Sequence, residues 1–326
     1  MTSETRIRPE TRKQMATTLL AEKDLAEQPQ ARPRWRATRP VRRSLALIPF
    51  LAFVLILGAY PLVQVVRMAF SETEIQGTTF TWTWNGITNF TSVLSEPTSW
   101  LAMWNTVFFV AVTTGGSIVL GLALALLVNK AVRLLPLARN VLIWPAIVTP
   151  VVVSLLWLLI LSPTAGSLNK LLTTFGLPPQ QWLDTGSGAM ASVIAVDLWH
   201  WTPVVFLFMY TALTGIDAAT LEAARIDGAS ERQVIFRIVL PLITPAIGAV
   251  AIVRVVMGIK AFDEMYLLTA GGPNGATTLV SQYIKDLFFT NLRFGEAAAY
   301  SMVVVVVVAI VLGVVLALRA RKEARA

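Results

Sequence analysis

Asp197, His200, Arg254 and Lys260 are ionisable residues within long apolar stretches, where such side chains are rare and are candidates for chemistry within a membrane. Asp197 and His200 belong to the run Asp197-Leu-Trp-His200-Trp201, whereas Arg254 and Lys260 belong to a later run. A buried guanidinium can pair with a carboxylate or hold an anionic solute bidentately, and Lys260 competes with it for Asp197. A histidine between two tryptophans can pack in a helix bundle or relay protons. The sequence leaves these alternatives open.

A second feature is the polar and charged segment 221–241, which separates two long apolar stretches. Asp217 or Thr220 can cap a short helix that begins near its start. Gly228 permits a turn, because glycine adopts a positive φ without steric cost. A second short helix is then expected to end where Pro241 breaks it at the membrane. The pattern predicts a helix pair that either connects two spans or docks on a partner.

The composition indicates that these residues are positioned by membrane-spanning helices. The chain has 326 residues, of which 55% are hydrophobic and 14% charged, with a mean hydropathy of +0.65. A bilayer core about 30 Å thick requires roughly 20 apolar residues at the helical rise. We therefore predict an all-α polytopic protein in which residues 44–318 form six transmembrane helices. Their approximate bounds are 44–66, 105–128, 140–161, 190–213, 243–268 and 298–318.

The orientation follows from the positions of lysine and arginine, which accumulate on the cytoplasmic side. With both termini in the cytoplasm, 21 of the 27 Lys and Arg lie in inner segments, four lie in outer connections and two lie within the fifth span. We assign the net charge of +8 to this topology and to the anionic inner leaflet, and not to nucleic acid. Residues 1–43 are expected to form a basic, mostly disordered cytoplasmic tail, 214–242 a cytoplasmic loop and 319–326 a C-terminal tail.

Several kinds of site are excluded. The chain has no cysteine and one histidine, which excludes thiol catalysis, cysteine-based metal sites and histidine-rich zinc sites. It also has no GxxxxGK phosphate loop. We predict a non-catalytic chain without a cofactor of its own, so uphill transport would need a partner or an ion gradient.

The polar segment resembles the EAA loop of binding-protein-dependent ABC importer permeases. The match comprises Glu222-Ala223-Ala224, Gly228 and then Ile238-x-Leu240-Pro241 at the spacing of that loop. From about residue 47 to 318 the chain is similar to the carbohydrate-uptake permeases of the maltose and glycerol-phosphate type. Shorter patterns in matching order support this resemblance, among them Asn105-Thr106, Trp157, Pro163, Gly166, Asn169 and Asp227-Gly228-Ala229.

The resemblance implies a complex in the inner or plasma membrane of a prokaryote. Its other members would be a second homologous permease, two ATP-binding subunits that hold ATP and magnesium, and an extracytoplasmic solute-binding protein. The EAA loop would contact the ATPases, with Glu222 in a charged contact and Gly228 as the pivot. The coupling residues it implies are Glu222, Ala223, Ala224, Asp227, Gly228, Ile238, Leu240 and Pro241.

The resemblance also implies a translocation path between the fourth and fifth spans. Helical spacing independently predicts that Asp197, Trp201 and Val204 share one side of their helix. The solute would be a di- or oligosaccharide, or alternatively an anionic solute such as glycerol phosphate. A proton-coupled secondary transporter and a membrane scaffold are the remaining alternatives. The implied path residues are Asp197, His200, Trp201, Val204, Arg254, Met257, Gly258 and Ala261.

Overall fold

Residues 48–76, 79–130 and 142–323 are described by a computed structural model, and the structural statements below refer to these residues. The chain divides into two compact units, residues 1–60 and 61–326. The first unit is described only over residues 48–60, which are helical. The predicted tail 1–43, the first four residues of the first predicted span and the connection 131–141 lie outside the described residues.

Most of the described chain is helical. Among its helices, α1, α3, α7, α9 and α12 are long and apolar enough to cross a bilayer, as expected of a polytopic membrane protein. The described elements, in chain order, are α1 (Ile48–Ala69), β1 (Ser71–Gln76), β2 (Thr79–Trp84), α2 (Thr88–Ser95), α3 (Pro97–Lys130), α4 (142–147), α5 (Pro150–Ile160), α6 (Ser167–Thr174), α7 (Gly186–Thr214), α8 (Ala218–Ile226), α9 (Glu231–Ile259), α10 (Asp263–Thr269), α11 (Val280–Lys285) and α12 (Phe294–Glu323).

Three predicted spans agree with single helices. The second, fourth and sixth predicted spans fall within α3, α7 and α12, and each helix extends beyond the predicted bounds. The first predicted span falls on α1 from residue 48 onward. The C-terminal tail predicted from residue 319 is helical as far as Glu323.

The third predicted span, 140–161, is not one helix. It is broken between α4 and α5, where Thr149 is extended with φ −67° and ψ 145°. Pro150 explains the break, because a proline disfavours the helical conformation of the residue before it. The 11 residues of α5 are about 17 Å long at the helical rise, less than a bilayer core. A span interrupted in this way leaves backbone carbonyls that need other donors.

The fifth predicted span, 243–268, has both ends misplaced. The expectation that Pro241 ends a separate short helix is wrong, because α9 begins at Glu231 and continues through this proline. A π turn over Ile235–Val239 precedes it, and the Leu240 N–H donates to the carbonyl five residues earlier. Such a turn shifts the hydrogen-bond ladder and helps a helix to accommodate a proline. At the other end α9 stops at Ile259, and α10 is a separate helix.

A two-stranded hairpin between α1 and α2 corrects the all-α expectation. Strands β1 and β2 are antiparallel, with Ser71 opposite Trp84. The β2 sequence alternates threonine with aromatic residues, a period of two that favours a strand. The Asn89 side chain donates to the carbonyls of Ala69 (3.0 Å) and Ser71 (2.9 Å). The hairpin is thereby held against α2.

Asn105 and Asn169, which belong to the short patterns that support the resemblance, hold long connections close to the helix ends. The Asn105 amide, on α3, donates to the carbonyls of Gly275 (2.9 Å) and Thr278 (3.1 Å). Asn169, on α6, is 4% exposed and accepts from the Trp182 indole at 2.9 Å. A buried amide that satisfies loop carbonyls fixes the loop, because unpaired backbone groups are costly away from water. These asparagines therefore have structural roles.

Helices α3 and α7 approach closely where α3 has glycine. A Cβ atom added at Gly121 would lie 2.8 Å from Val205 Cγ1 and 2.9 Å from the Phe206 backbone nitrogen. A Cβ added at Gly116 would lie 2.9 Å from the Leu198 side chain. Small residues at membrane helix crossings allow such close packing. This crossing holds the middle of α7 against α3.

We expect Gly121→Ala to destabilise the protein, because the new methyl group meets the backbone of α7. Overpacking of this kind costs about 1–3 kcal/mol. The measurement is the thermal unfolding midpoint of the purified protein in mild detergent. Gly115→Ala is the matched control, since nothing lies within 4 Å of its added Cβ, and it should be neutral or slightly stabilising. Equal midpoints for the two variants would contradict the packing argument.

An ion-pair cluster joins the start of α3 to the segment before α12. Arg293 donates to Glu96 at 2.7 Å, and its guanidinium also pairs with Glu296. The Tyr283 hydroxyl donates to the other Glu96 oxygen at 2.5 Å. The hydrogen bond from Tyr283, with help from Arg293, keeps the pKa of Glu96 below its ordinary value. Burial, together with the Glu96 charge, raises the pKa of Tyr283 to about 12.

We expect this cluster to make stability depend on pH. Since the folded-state pKa of Glu96 is lowered, its contribution is fully present above its unfolded-state pKa and is lost as the pH falls through the folded-state value. Unfolding midpoints at pH 6 and at progressively lower pH should therefore show Glu96→Gln less stable than wild type at pH 6, with the gap closing in acid. A gap that stays constant or widens toward low pH would contradict the assignment.

Candidate functional site

A buried ion pair joins α7 to α9. Arg254 Nη2 donates to Asp197 Oδ1, and the two side chains are 2% and 3% exposed. The Nε atom of Arg254 donates to Ser117 Oγ, on α3, at 3.2 Å. The guanidinium carbon also lies 5.9 Å from the centre of the Trp201 ring, within cation–π range. Three long helices therefore meet at one compensated charge.

A second polar pair lies one helical turn away. The Nδ1 atom of His200 is 3.2 Å from Glu264 Oε1, and its Nε2 atom is 3.1 Å from the Val148 carbonyl oxygen. His200 and Glu264 are 1% and 5% exposed. The His200 ring also packs on Trp201, with centroids 4.7 Å apart. These contacts connect α7 to α10 and to the break between α4 and α5.

Of the alternatives that the sequence leaves open for Arg254, the structure contains the ion pair with a carboxylate. Arg254 pairs with Asp197, whereas Lys260 follows the last residue of α9 and is exposed. The tryptophans on either side of His200 differ in their contacts. Trp199 is 43% exposed and lies against Trp157, with ring centroids 5.6 Å apart, whereas Trp201 packs on His200. His200 is packed in the bundle interior.

The predicted path residues fall on α7, at the end of α9 and in the segment just after it, but with different exposures. Asp197, His200, Arg254 and Gly258 are buried, and Met257 is 37% exposed. A Cβ added at Gly258 would lie 3.0 Å from Val110 Cγ2, so this glycine permits close packing of α9 on α3. The remaining members, Trp201, Val204 and Ala261, are partly buried.

Sequence reasoning did not single out three participants in this cluster. Ser117 gives no signal, because an isolated serine in an apolar helix often bonds only its own backbone. The Val148 carbonyl becomes available only through the helix break. Glu264 was detectable, since an acidic residue inside the predicted span 243–268 is itself unusual.

The predicted coupling residues lie in a separate place, on α8 and the start of α9. The Asp217 side chain caps α8 by accepting from the Ala219 N–H, as the sequence predicts, and Gly228 has φ +80°. Ser230 and Gln233 form a capping box at the start of α9. Ala224 is buried, and Ile238 and Leu240 are partly buried. Exposed members are Glu222, Ala223, Asp227, Gly228 and Pro241.

The two residue sets are far apart along the same helices. Asp197 lies about 25 Å along the axis from the end of α7 at the helical rise. On α9, Arg254 lies about 20 Å from Pro241, the nearest predicted coupling residue, on the same measure. Helix α9 contributes to both sets, because it is continuous from Glu231 to Ile259.

The long apolar helices define the class as a polytopic membrane protein, and the comparison with known families specifies it further. Residues 117–322 match the family described as binding-protein-dependent transport system inner membrane component. The chain belongs to this family. It is a non-catalytic, multi-pass inner membrane permease of an ABC importer, in which partner subunits bind ATP. The proton-coupled and scaffold alternatives are therefore set aside.

Characterised relatives differ in the solutes they are named for. The chain is 32% identical over 224 residues to the trehalose/maltose transport system permease protein MalF of Thermococcus litoralis, covering 68% of this chain and 75% of the relative. It is 35% identical over 225 residues to the sn-glycerol-3-phosphate transport system permease protein UgpA of Agrobacterium fabrum, covering 68% and 76%. It is 30% identical over 229 residues to the osmoprotective compounds uptake permease protein GgtC of Synechocystis, covering 68% and 81%.

A solved structure supports the fold. The crystal structure of a bacterial ABC transporter involved in the import of the acidic polysaccharide alginate contains a chain that matches with a TM-score of 0.72 and 24% identity. The match covers 86% of this chain and 94% of the other.

We expect Asp197→Leu to be strongly destabilising, because it leaves the Arg254 guanidinium buried without a counter-charge. Removing one partner of a buried pair costs about 3–5 kcal/mol, whereas replacing both by apolar residues is often neutral. The double variant Asp197→Leu/Arg254→Met should therefore recover most of the lost stability, measured by thermal unfolding in detergent.

Lys260→Met is the control, since it removes an exposed cation just beyond the same helix and should change stability by less than about 0.5 kcal/mol. A double variant no more stable than Asp197→Leu alone would show that the two charges are not coupled.

Proposed function

We propose that this permease imports a sugar, a di- or oligosaccharide, and that α8 and the start of α9 transmit ATP hydrolysis in partner subunits to alternating access. The remaining partners in the proposal are a second homologous permease and an extracytoplasmic solute-binding protein. Six spans, with α4 and α5 together as the third, and cytoplasmic termini would put the coupling segment on the ATPase side.

The observation that best supports a docking role is the surface of α8. Ala224 is buried against the protein's own core, but Ile226 on the same helix is 86% exposed. Phe236, in the π turn of α9, is 63% exposed. Exposed apolar side chains beside a polar rim are typical of interaction sites. Glu222 is exposed on the same helix and supplies a charge for the contact.

The proposed coupling mechanism rests on the continuity of α9. Gly228 allows the chain to turn between α8 and α9, and α9 then extends without interruption to Arg254. A displacement of the docked α8 would move α9 with it, as in rigid-body transitions between two packed states. The moving end of α9 contributes to the proposed path. The path residues remain Asp197, His200, Trp201, Val204, Arg254, Met257, Gly258 and Ala261.

A neutral solute is favoured over an anionic one by the ion pair. An anion would have to compete with Asp197 for a guanidinium that is 2% exposed. Trp201 is partly buried beside this pair, and an aromatic face can pack on the apolar face of a sugar ring. The names of the relatives include both trehalose/maltose and glycerol phosphate, so either class has precedent among similar permeases.

We expect Glu222→Ala to weaken ATPase docking. Truncating one side of a desolvated charged contact costs about 2–5 kcal/mol, which corresponds to a loss of affinity of about 30-fold or more. The measurement is quantitative mass spectrometry of the proteins that co-purify with the tagged chain from its native membrane. Wild type should recover an ATPase, a second permease and a solute-binding protein, and the variant should be depleted in the ATPase alone.

The control is Glu72→Ala, the same substitution at an exposed position of the β1 strand, which should leave recovery unchanged. The recovered binding protein can then be titrated with maltose, trehalose and glycerol 3-phosphate. Undiminished ATPase recovery with Glu222→Ala would contradict the coupling proposal, and binding of glycerol 3-phosphate alone would contradict the sugar proposal.

A further inference from the structure

The helix break between α4 and α5 leaves the Val148 carbonyl without its helical donor, and His200 supplies a donor in its place. With Thr149 extended, the ladder of backbone hydrogen bonds stops at this point. A carbonyl inside an apolar bundle needs another donor, because an unpaired backbone group in such a medium costs several kcal/mol. The Val148 oxygen lies 3.1 Å from His200 Nε2. His200 therefore replaces the donor that the helix lacks.

This contact fixes the protonation pattern of the imidazole. A carbonyl oxygen only accepts hydrogen bonds, so Nε2 must bear a hydrogen. Nδ1 then faces Glu264 Oε1 at 3.2 Å with one proton between them. The pair is either imidazolium with carboxylate or neutral imidazole with carboxylic acid, and its net charge is zero in both forms. Without a partner at Nδ1, the ring could rotate or adopt the other tautomer and lose the carbonyl.

We propose that Glu264 is a positioning residue that acts through His200 to hold the broken segment α4–α5 against α7 and α10. The carboxylate keeps Nε2 directed at the Val148 carbonyl, one helical turn from the Asp197–Arg254 pair. The proposal deepens the proposed function, because the held segment borders the proposed path, and it relies on that function only for its effect on transport. The positioning role requires only that the side chain of residue 264 form a hydrogen bond with Nδ1 of His200.

The two substitutions Glu264→Leu and Glu264→Gln separate position from charge. Leucine removes every hydrogen bond to Nδ1. Glutamine removes the carboxylate but can donate an amide N–H to Nδ1 of a neutral ring, which leaves the Nε2–H on the carbonyl. A positioning role is therefore preserved in Glu264→Gln and lost in Glu264→Leu.

The test uses a thiol reporter at the break, in the full chain within its native membrane assembly. This chain has no cysteine, so Ile147→Cys, at a position that is 73% exposed, is its sole labelling site, and the signal is read from the tagged chain after it is separated from its partners. The probes are the rate of maleimide alkylation and the mobility of a nitroxide spin label. We expect Glu264→Leu to change the alkylation rate about three- to tenfold, the equilibrium effect of one net hydrogen bond. Glu264→Gln should stay within twofold of wild type.

A double-mutant cycle with His200→Phe tests the route through the histidine. In that background Glu264→Leu should have no further effect on the reporter. If Glu264→Leu does not assemble, Glu264→Asp replaces it, because the shorter side chain withdraws from the 3.2 Å contact. The neighbouring carboxylate on α10 provides the control Asp263→Asn, which should leave the reporter unchanged.

Two results would overturn the proposal. One is a Glu264→Gln variant that behaves like Glu264→Leu, since the carboxylate itself would then be required. The other is an effect of Glu264→Leu that is equal with and without His200. Neither readout needs a solute or ATP, so both remain interpretable if the solute assigned above is wrong.

Discussion

The arrangement of the long helices depends on one constraint, which is that a guanidinium and a carboxylate excluded from water must stay together. Asp197 and Arg254 lie on α7 and α9, and Ser117 on α3 satisfies a further N–H of the guanidinium. Separating these helices would expose two unpaired charges to an apolar medium, which costs far more than lost van der Waals packing. The glycines of α3 and Gly258 of α9 fit this constraint, because they permit the short distances between helices that the polar contacts require.

The second organising feature is the continuity of α9. A sequence with prolines at 241 and 245 suggests a helix that stops and restarts, yet the structure contains one helix from the exposed segment beside α8 to the ion pair. The π turn at Ile235–Val239 makes this possible by shifting the hydrogen-bond ladder before the first proline. As a result, one helix carries the coupling residues Ile238, Leu240 and Pro241 and the path residues Arg254, Met257 and Gly258, with about 20 Å of helix between Pro241 and Arg254.

Much of this architecture was predictable from local pattern. Long apolar runs locate α3, α7 and α12, and the Asp217 cap locates α8, because both signals depend on residues close in sequence. The predictions are wrong where contacts between residues distant in sequence determine the structure. Pro145 and Pro150 were both visible within the third span, but the break is stabilised by a histidine about 50 residues later in the chain. The hairpin was missed because its two short strands lie in a connection between predicted spans, where the all-α prediction included no strand. Glu264 was missed because only Arg254 and Lys260 were considered among the charged residues of the fifth predicted span.

The charge balance of the cluster matters for the proposed alternating access, in which these residues border the path. Asp197 with Arg254 sums to zero, and so does His200 with Glu264, wherever its shared proton resides. A wall with a net charge would have a different hydration free energy in each access state, and that difference would bias the equilibrium between the states. A cluster without net charge reduces this bias, which leaves more of the balance between the states to packing and to contacts with partners. In the proposed coupling scheme, a docking energy that differs by about 5.5 kcal/mol between the two access states would shift the equilibrium from 1:99 to 99:1.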